Sequence, residues 1–354
     1  MSGIAISGAP EQGRKTRRRG GGGSWWVTVR AWATGLAVAA GMVVPLTVAT
    51  PAAAQTREFA YIANYDADTV SVGDIATLAV IDTIHVGDGP LGVAVSPNGK
   101  RVYVTNHLSN NVSVIDTAND CVIATIPVRK APYGVAVSPN GKRVYVTNAG
   151  SDNVSVINTS TNKVIDTIAV RKAPHGVAVS PNGKHVYVAD SGSDKVSVIK
   201  TSTDRVTDTV RVGDKPEGVA VSPDSKRVYV TNSGSDSVSV INTSTNKVTR
   251  TIHVGDKPKG VVVLPNGTRV YVTNSGSDTV SAINTSTNTV INTIHVGDTP
   301  VGVASTPDST HLCVTNAHSN NISVIDTRNN TVTVTVPGFD RPTGVAIADV
   351  NTNV

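Results

Sequence analysis

Seven positions spaced 42 residues apart hold Leu91, Tyr133, His175, Glu217, Lys259, Val301 and Thr343, and here the copies of an otherwise uniform sequence differ most. A histidine, a glutamate and a lysine in consecutive copies would act as base, acid and electrostatic stabiliser if one surface brought them together. Two residues earlier stand Gly89, Ala131, Ala173, Lys215, Lys257, Thr299 and Arg341, so Lys215, Lys257 and Arg341 add positive charge to the same stretch. Single copies of common titratable types do not make a catalytic set, and the residues read as a binding surface with no catalytic centre. The other histidines point away from a metal site. His85, His253 and His295 share one phase, too far apart to ligate one ion, and His107 and His318 fall in turns of non-adjacent copies. Cys121 and Cys313 form neither a CxxC nor a haem-attachment motif and sit on different strand types, so no disulfide and no cofactor are expected.

What brings the seven positions together is the repeat itself. Tyr61, Tyr103, Tyr145, Tyr187, Tyr229 and Tyr271 keep the 42-residue period, with Cys313 at the seventh place. Gly92, Gly134, Gly176, Gly218, Gly260, Gly302 and Gly344 form a second series. Each copy holds four short runs rich in Val, Ile, Thr and Tyr, separated by turn formers such as Pro139-Asn140-Gly141 and Asn158-Thr159-Ser160-Thr161-Asn162. Four such strands make an antiparallel meander, and meanders repeated around an axis make a propeller. The prediction is an all-β, seven-bladed β-propeller with four-stranded antiparallel blades. The first copy lacks the Gly-Val-Ala strand and residues 344–348 supply one, so the C-terminal strand should join the N-terminal blade and close the ring. Alternate connections then share one face, here called the top, which carries the variable rim.

The first 54 residues differ in kind. Arg14, Lys15, Arg17, Arg18, Arg19 and Arg30 precede or open an uncharged stretch over 31–50, followed by Pro51-Ala52-Ala53-Ala54-Gln55. This reads as a signal peptide cut after Ala54, with an uncleaved anchor as the alternative, and residues 55–354 as the propeller domain. The leader carries the whole formal charge of +5, and the remainder has 25 basic and 25 acidic residues. That balance argues against nucleic acid as a partner, because duplex binding rests on phosphate neutralisation. Arg129-Lys130 and Arg171-Lys172, with Lys215, Lys257 and Arg341, nevertheless form a basic arc on the top face.

Tyr-Val-Thr-Asn recurs at 103–106, 145–148, 229–232 and 271–274, ends as Val314-Thr315-Asn316 in the last copy, and accompanies Ser-Pro-Asn-Gly-Lys turns. These motifs resemble the YVTN β-propeller family over essentially all of residues 55–354. Departures are Tyr-Ile-Ala-Asn at 61–64, Tyr-Val-Ala-Asp at 187–190, and Cys313. The resemblance implies that the Gly-Val-Ala strands are innermost. It also implies kinship with YncE-like exported proteins and surface-layer propellers and, more distantly, with lactonase-type and quinoprotein propellers. Residues and resemblance together predict an exported binding or scaffold module, secreted or at the cell surface and monomeric. Its top rim would meet a protein, glycan or small molecule. The alternative is a lactonase-like or lyase enzyme with an axial pocket around His175 and Glu217.

Overall fold

Alternating Val, Ile and Thr favour extended backbone because β-branched side chains pack well on a pleated surface, and the Pro-Asn-Gly and Asn-Thr-Ser-Thr-Asn segments turn the chain between such runs. The computed structural model describes residues 56–351, which form 28 strands in seven four-stranded sheets, with no helix among the described residues. Six blades are contiguous in sequence, blades 2 to 7 spanning 90–127, 132–169, 174–211, 216–253, 258–295 and 300–337, and each runs from its inner strand to its outer one. Blade 3, for example, comprises Pro132–Val137, Arg143–Asn148, Asn153–Asn158 and Lys163–Ala169. The first strands of neighbouring blades pack side by side while the last strands scarcely touch, so the Gly-Val-Ala strands surround the axis. The fold is the seven-bladed propeller that the period predicts. The leader lies outside the described residues.

Blade 1 is assembled from both ends of the domain. Thr56–Asn64, Thr69–Asp74 and Ala79–His85 supply three strands, and Pro342–Asn351 adds the inner one, placing Phe59 opposite Ala348 and Tyr61 opposite Ala346. The hydrophobic core is divided into layers between neighbouring sheets. In one layer Tyr145, Val154, Val156 and Ile168 of blade 3 meet Val177, Val186, Val188 and Ile199 of blade 4. Burial of a large apolar side chain contributes about 1.5–3 kcal/mol, and each layer repeats that gain with the next blade.

The repeated motif is a set of polar ties between and within blades. On the bottom face Arg143 Nη1 donates to Thr201 O of the next blade at 2.9 Å, and Tyr61 Oη donates to Asp120 Oδ1 at 2.8 Å. At the top Thr147 Oγ1 accepts from Gly134 N–H at 2.8 Å and donates to His175 O of the next blade at 2.6 Å. Asn148 ties its own top turn by donating to Asn153 Oδ1 and Ser155 Oγ. A further latch fixes every crossover loop. Gly89, Ala131, Ala173, Lys215, Lys257, Thr299 and Arg341 all have positive φ, and each N–H is accepted by an Asp or Asn side chain of the preceding top turn.

Candidate functional site

The axial site is built by a β-bulge repeated in every blade. In blade 3 the pairing passes from Pro132 opposite Asn148 to Val135 opposite Val146, leaving Tyr133 and Gly134 facing Thr147 alone, and the same shift recurs in blades 2 and 4 to 7. A bulge bends the strand and re-aims a side chain, and here it turns the residue before the glycine toward the axis. The glycine is required by close approach. A Cβ on Gly92 or Gly134 would lie 2.5 Å from the carbonyl oxygen of Tyr133 or His175 in the next blade, and the other five glycines meet their neighbours' carbonyls in the same way. That chain of contacts includes Gly344 against Leu91 O, so the ring is continuous through the closing blade.

Leu91, Tyr133, Glu217, Lys259, Val301 and Thr343 line a cavity of ≈160 Å³ together with the glycine ring. His175 completes the set from beside it. Its ring stacks on Tyr133 with centroids 4.3 Å apart and planes 6° apart, and its Nδ1 lies 2.8 Å from Glu217 Oε2. The His175 and Glu217 side chains are 21% and 16% exposed, so the pair is largely screened from bulk water, and of the two Glu217 lines the cavity. Burial, and after it the Glu217 carboxylate, pushes the Tyr133 phenol upward, which keeps it a neutral hydrogen-bond donor. The rim is two-sided: blades 3 to 6 present Tyr133, His175, Glu217 and Lys259, and blades 7 and 2 present Val301 and Leu91. Thr343 is buried and its hydroxyl is committed to the closure seam, where it donates to Pro90 O at 3.0 Å.

Lys215, Lys257 and Arg341 do not join this set. They occupy the positive-φ corners of the crossover loops and are exposed, and Arg341 lies over the Tyr65 ring at 4.7 Å and pairs with Asp66 at 3.3 Å. His107, which the sequence leaves in an ordinary turn, stands edge-on to Tyr133 at 6.3 Å and approaches Pro132 O with Nδ1 at 3.2 Å. Nothing in its spacing marks that role.

Blade 4 holds the other residues that spacing alone does not single out. Ala189 replaces the threonine of the top clamp, so Gly176 N–H and Glu217 O lack the hydroxyl that joins the corresponding groups in five other seams. The His175–Glu217 contact spans that same seam, linking blade 4 to blade 5 by side chains where a hydroxyl is missing. Asp190 replaces the asparagine. Burial raises its carboxyl to about 6 despite the hydrogen bond donated by Ser197 Oγ at 2.6 Å. The signal was in the sequence, since Tyr-Val-Ala-Asp occurs only in the copy that also carries His175. Cys121 is free and exposed and Cys313 is free and buried. No group of three or more His, Cys, Asp or Glu among the described residues has metal-binding geometry.

Among solved structures, the chain is similar to a Kuenenia stuttgartiensis hydrazine synthase chain at 24% identity, covering 76% of this chain and 92% of that one with a TM-score of 0.68. A functionally unknown protein from Desulfotomaculum acetoxidans matches at 20% identity over 82% of this chain and 99% of its own, with a TM-score of 0.74. Dihydro-heme d1 dehydrogenase NirN, solved in complex with DHE, matches at 17% identity over 79% and 63%, with a TM-score of 0.62. These likenesses speak for the fold alone. No curated protein sequence matches the chain. Its sequence does match the family described as lactonase, 7-bladed beta-propeller, in two overlapping segments, 74–211 and 172–347. The chain therefore belongs to the lactonase-type seven-bladed β-propeller family.

Proposed function

We propose that the protein is an exported binding module of YVTN type whose axial top-face opening recognises a small amphipathic group, either a compact ligand or a side chain of a protein partner. One observation carries this reading: seven near-identical copies diverge at the one position that the bulge turns into the axis, giving a rim with a polar half and an apolar half. The cavity of ≈160 Å³ is below the roughly 300 Å³ at which pockets for drug-sized ligands begin, so it suits a single residue-sized group. Tyr133 and Lys259 offer donors, Glu217 an acceptor, and Leu91 and Val301 an apolar wall.

A second reading is favoured by the 2.8 Å His175–Glu217 contact and by the family: hydrolysis of a lactone. Glu217 would hold the imidazole through Nδ1, leaving Nε2 to take a proton from water as its oxygen attacks the carbonyl carbon. The ring C–O bond then breaks and the alkoxide receives the proton. Alanine at His175 and at Glu217 separates the two readings. An enzyme loses turnover of a simple γ- or δ-lactone by at least 10²-fold with either change. A binding rim shows no lactone turnover in the parent chain and loses affinity for its ligand stepwise across Tyr133, Glu217 and Lys259 variants. Parent-chain turnover that both variants abolish would displace the binding reading.

A further inference from the structure

The crossover loops provide an internal comparison. At one phase they read Gly87-Asp88, Gly213-Asp214, Gly255-Asp256, Gly297-Asp298 and Phe339-Asp340, but Arg129-Lys130 and Arg171-Lys172 in the loops entering blades 3 and 4. Two adjacent loops thus hold four cations where the prevailing pattern holds two anions. All four side chains belong to exposed residues, and none forms an ion pair among the described residues. Countercharge differs between the two loops: the top turn latched to the first carries neutral Asn110 where five copies have Asp, while Asp152 and, beneath the loop, the buried Asp190 carboxylate stand against the second, Asp190 close to Arg171. Of the rest of the basic arc, Arg341 pairs with Asp66, and Lys215 and Lys257 each follow an aspartate in sequence, Asp214 and Asp256, so their loops carry no net positive charge.

The loops that present these charges are fixed. Lys130 N–H donates to Ser151 Oγ at 3.0 Å, and Lys130 O and Lys172 O accept from Gly150 and Gly192 N–H at 3.1 and 2.9 Å. A latched backbone needs little further ordering when a partner arrives, so the ordering cost falls on the four long side chains.

We propose that this sector docks a flexible acidic polysaccharide, whose carboxylates repeat at sugar-length intervals along one chain. Leu108 is the single exposed large apolar residue in the top-face turns among the described residues, so the sector lacks the apolar centre on which protein interfaces depend. A nucleic-acid duplex is wide and stiff, and lying across the face it would bring phosphates over the loops of Asp88, Asp214, Asp256, Asp298 and Asp340. A single flexible chain can follow the two basic loops and leave the acidic ones untouched. The four cations lie outside the cavity lining, so this surface works independently of what the axial opening takes.

The test measures binding of the exported protein, freed of its basic leader, to alginate, a linear polyuronate, with neutral dextran and duplex DNA alongside. Combined Arg129→Gly, Lys130→Asp, Arg171→Gly and Lys172→Asp installs a sequence that other copies already carry in the same fold. Alginate affinity should fall at least tenfold in that variant and decline steeply with salt in the parent chain. Asp214→Lys, in the next loop, should strengthen it, and His175→Ala should leave it unchanged, which separates this sector from the axial site. Unaltered affinity in the four-fold variant, equal binding of dextran, tighter binding of the duplex, or no binding of alginate to the parent chain would each overturn the proposal.

Discussion

At position 190 the asparagine of the repeat becomes an aspartate, and its carboxyl is fully buried in blade 4. An unfolded aspartate titrates near ~3.9, and the folded one is raised to about 6. The native state therefore holds the proton more tightly than the unfolded chain does. The contribution of this one carboxyl to stability is most favourable below about pH 4, declines as pH rises from about 4 to about 6, and stays lower above that by about 1–3 kcal/mol. Asp190→Asn should remove the decline and raise stability by that amount at pH 7, read from denaturant unfolding between pH 4 and 8. An unchanged pH profile would mean that the carboxyl is not carrying the cost. The two thiols make a second contrast. Burial pushes Cys313 up to about 12, whereas Cys121 is exposed on an outer strand. A thiol reagent should titrate one group in the native protein and two after unfolding. The repeated Tyr, Thr and Asn were plain in the sequence as markers of period. Their roles as ties came only with the neighbours that receive their hydrogen bonds.

Among the elements, the inner strand and its bulge carry both the ring and the rim. Thr231 accepts from Gly218 N–H at 2.7 Å and donates to Lys259 O of the next blade at 2.7 Å. Thr231→Val keeps the shape and strands both backbone groups, so stability should fall by about 1–3 kcal/mol. Ala189→Thr should act in the opposite sense, supplying the missing hydroxyl to Gly176 N–H and Glu217 O for about 0.5–1.5 kcal/mol. Thermal midpoints of the two variants, moving in opposite directions, check the clamp. If Ala189→Thr destabilises, the blade 4 seam is not short of that tie. Strand positions were legible because Val and Ile alternate with Ser and Thr at period two. The bulge was not, because nothing local in Pro-Tyr-Gly-Val-Ala separates it from a regular strand. The register shift arises where Thr147 of the neighbouring strand faces two residues at once.

For the molecule as a whole, stability rests on closure. Removing 341–354 takes the inner strand from blade 1, uncovers the edge of Thr56–Asn64 and breaks the contact of Gly344 with Leu91. An exposed edge is a template for pairing with another chain. The truncated protein should associate or aggregate at concentrations where the full chain does not, as light scattering after size-exclusion chromatography would register. A monomeric truncation of unchanged stability would show that the ring does not depend on this strand.

Period, strand count and complementary ends are properties of order along the chain, so residues alone were enough to specify a seven-bladed ring and the strand that closes it. Copy-to-copy comparison likewise located the variable rim, because a repeat makes each position its own control. Which of those variable residues meet was another matter. Tyr133, His175 and Glu217 stand 42 residues apart along the chain, and only packing of neighbouring inner strands brings two rings within 4.3 Å and an imidazole within 2.8 Å of a carboxylate. The same packing leaves Lys215, Lys257 and Arg341 out of the cavity lining, on loop corners whose positive-φ backbone is latched to the preceding turn. Contacts of this kind depend on distances between blades, and a linear pattern of types and spacings does not contain those distances.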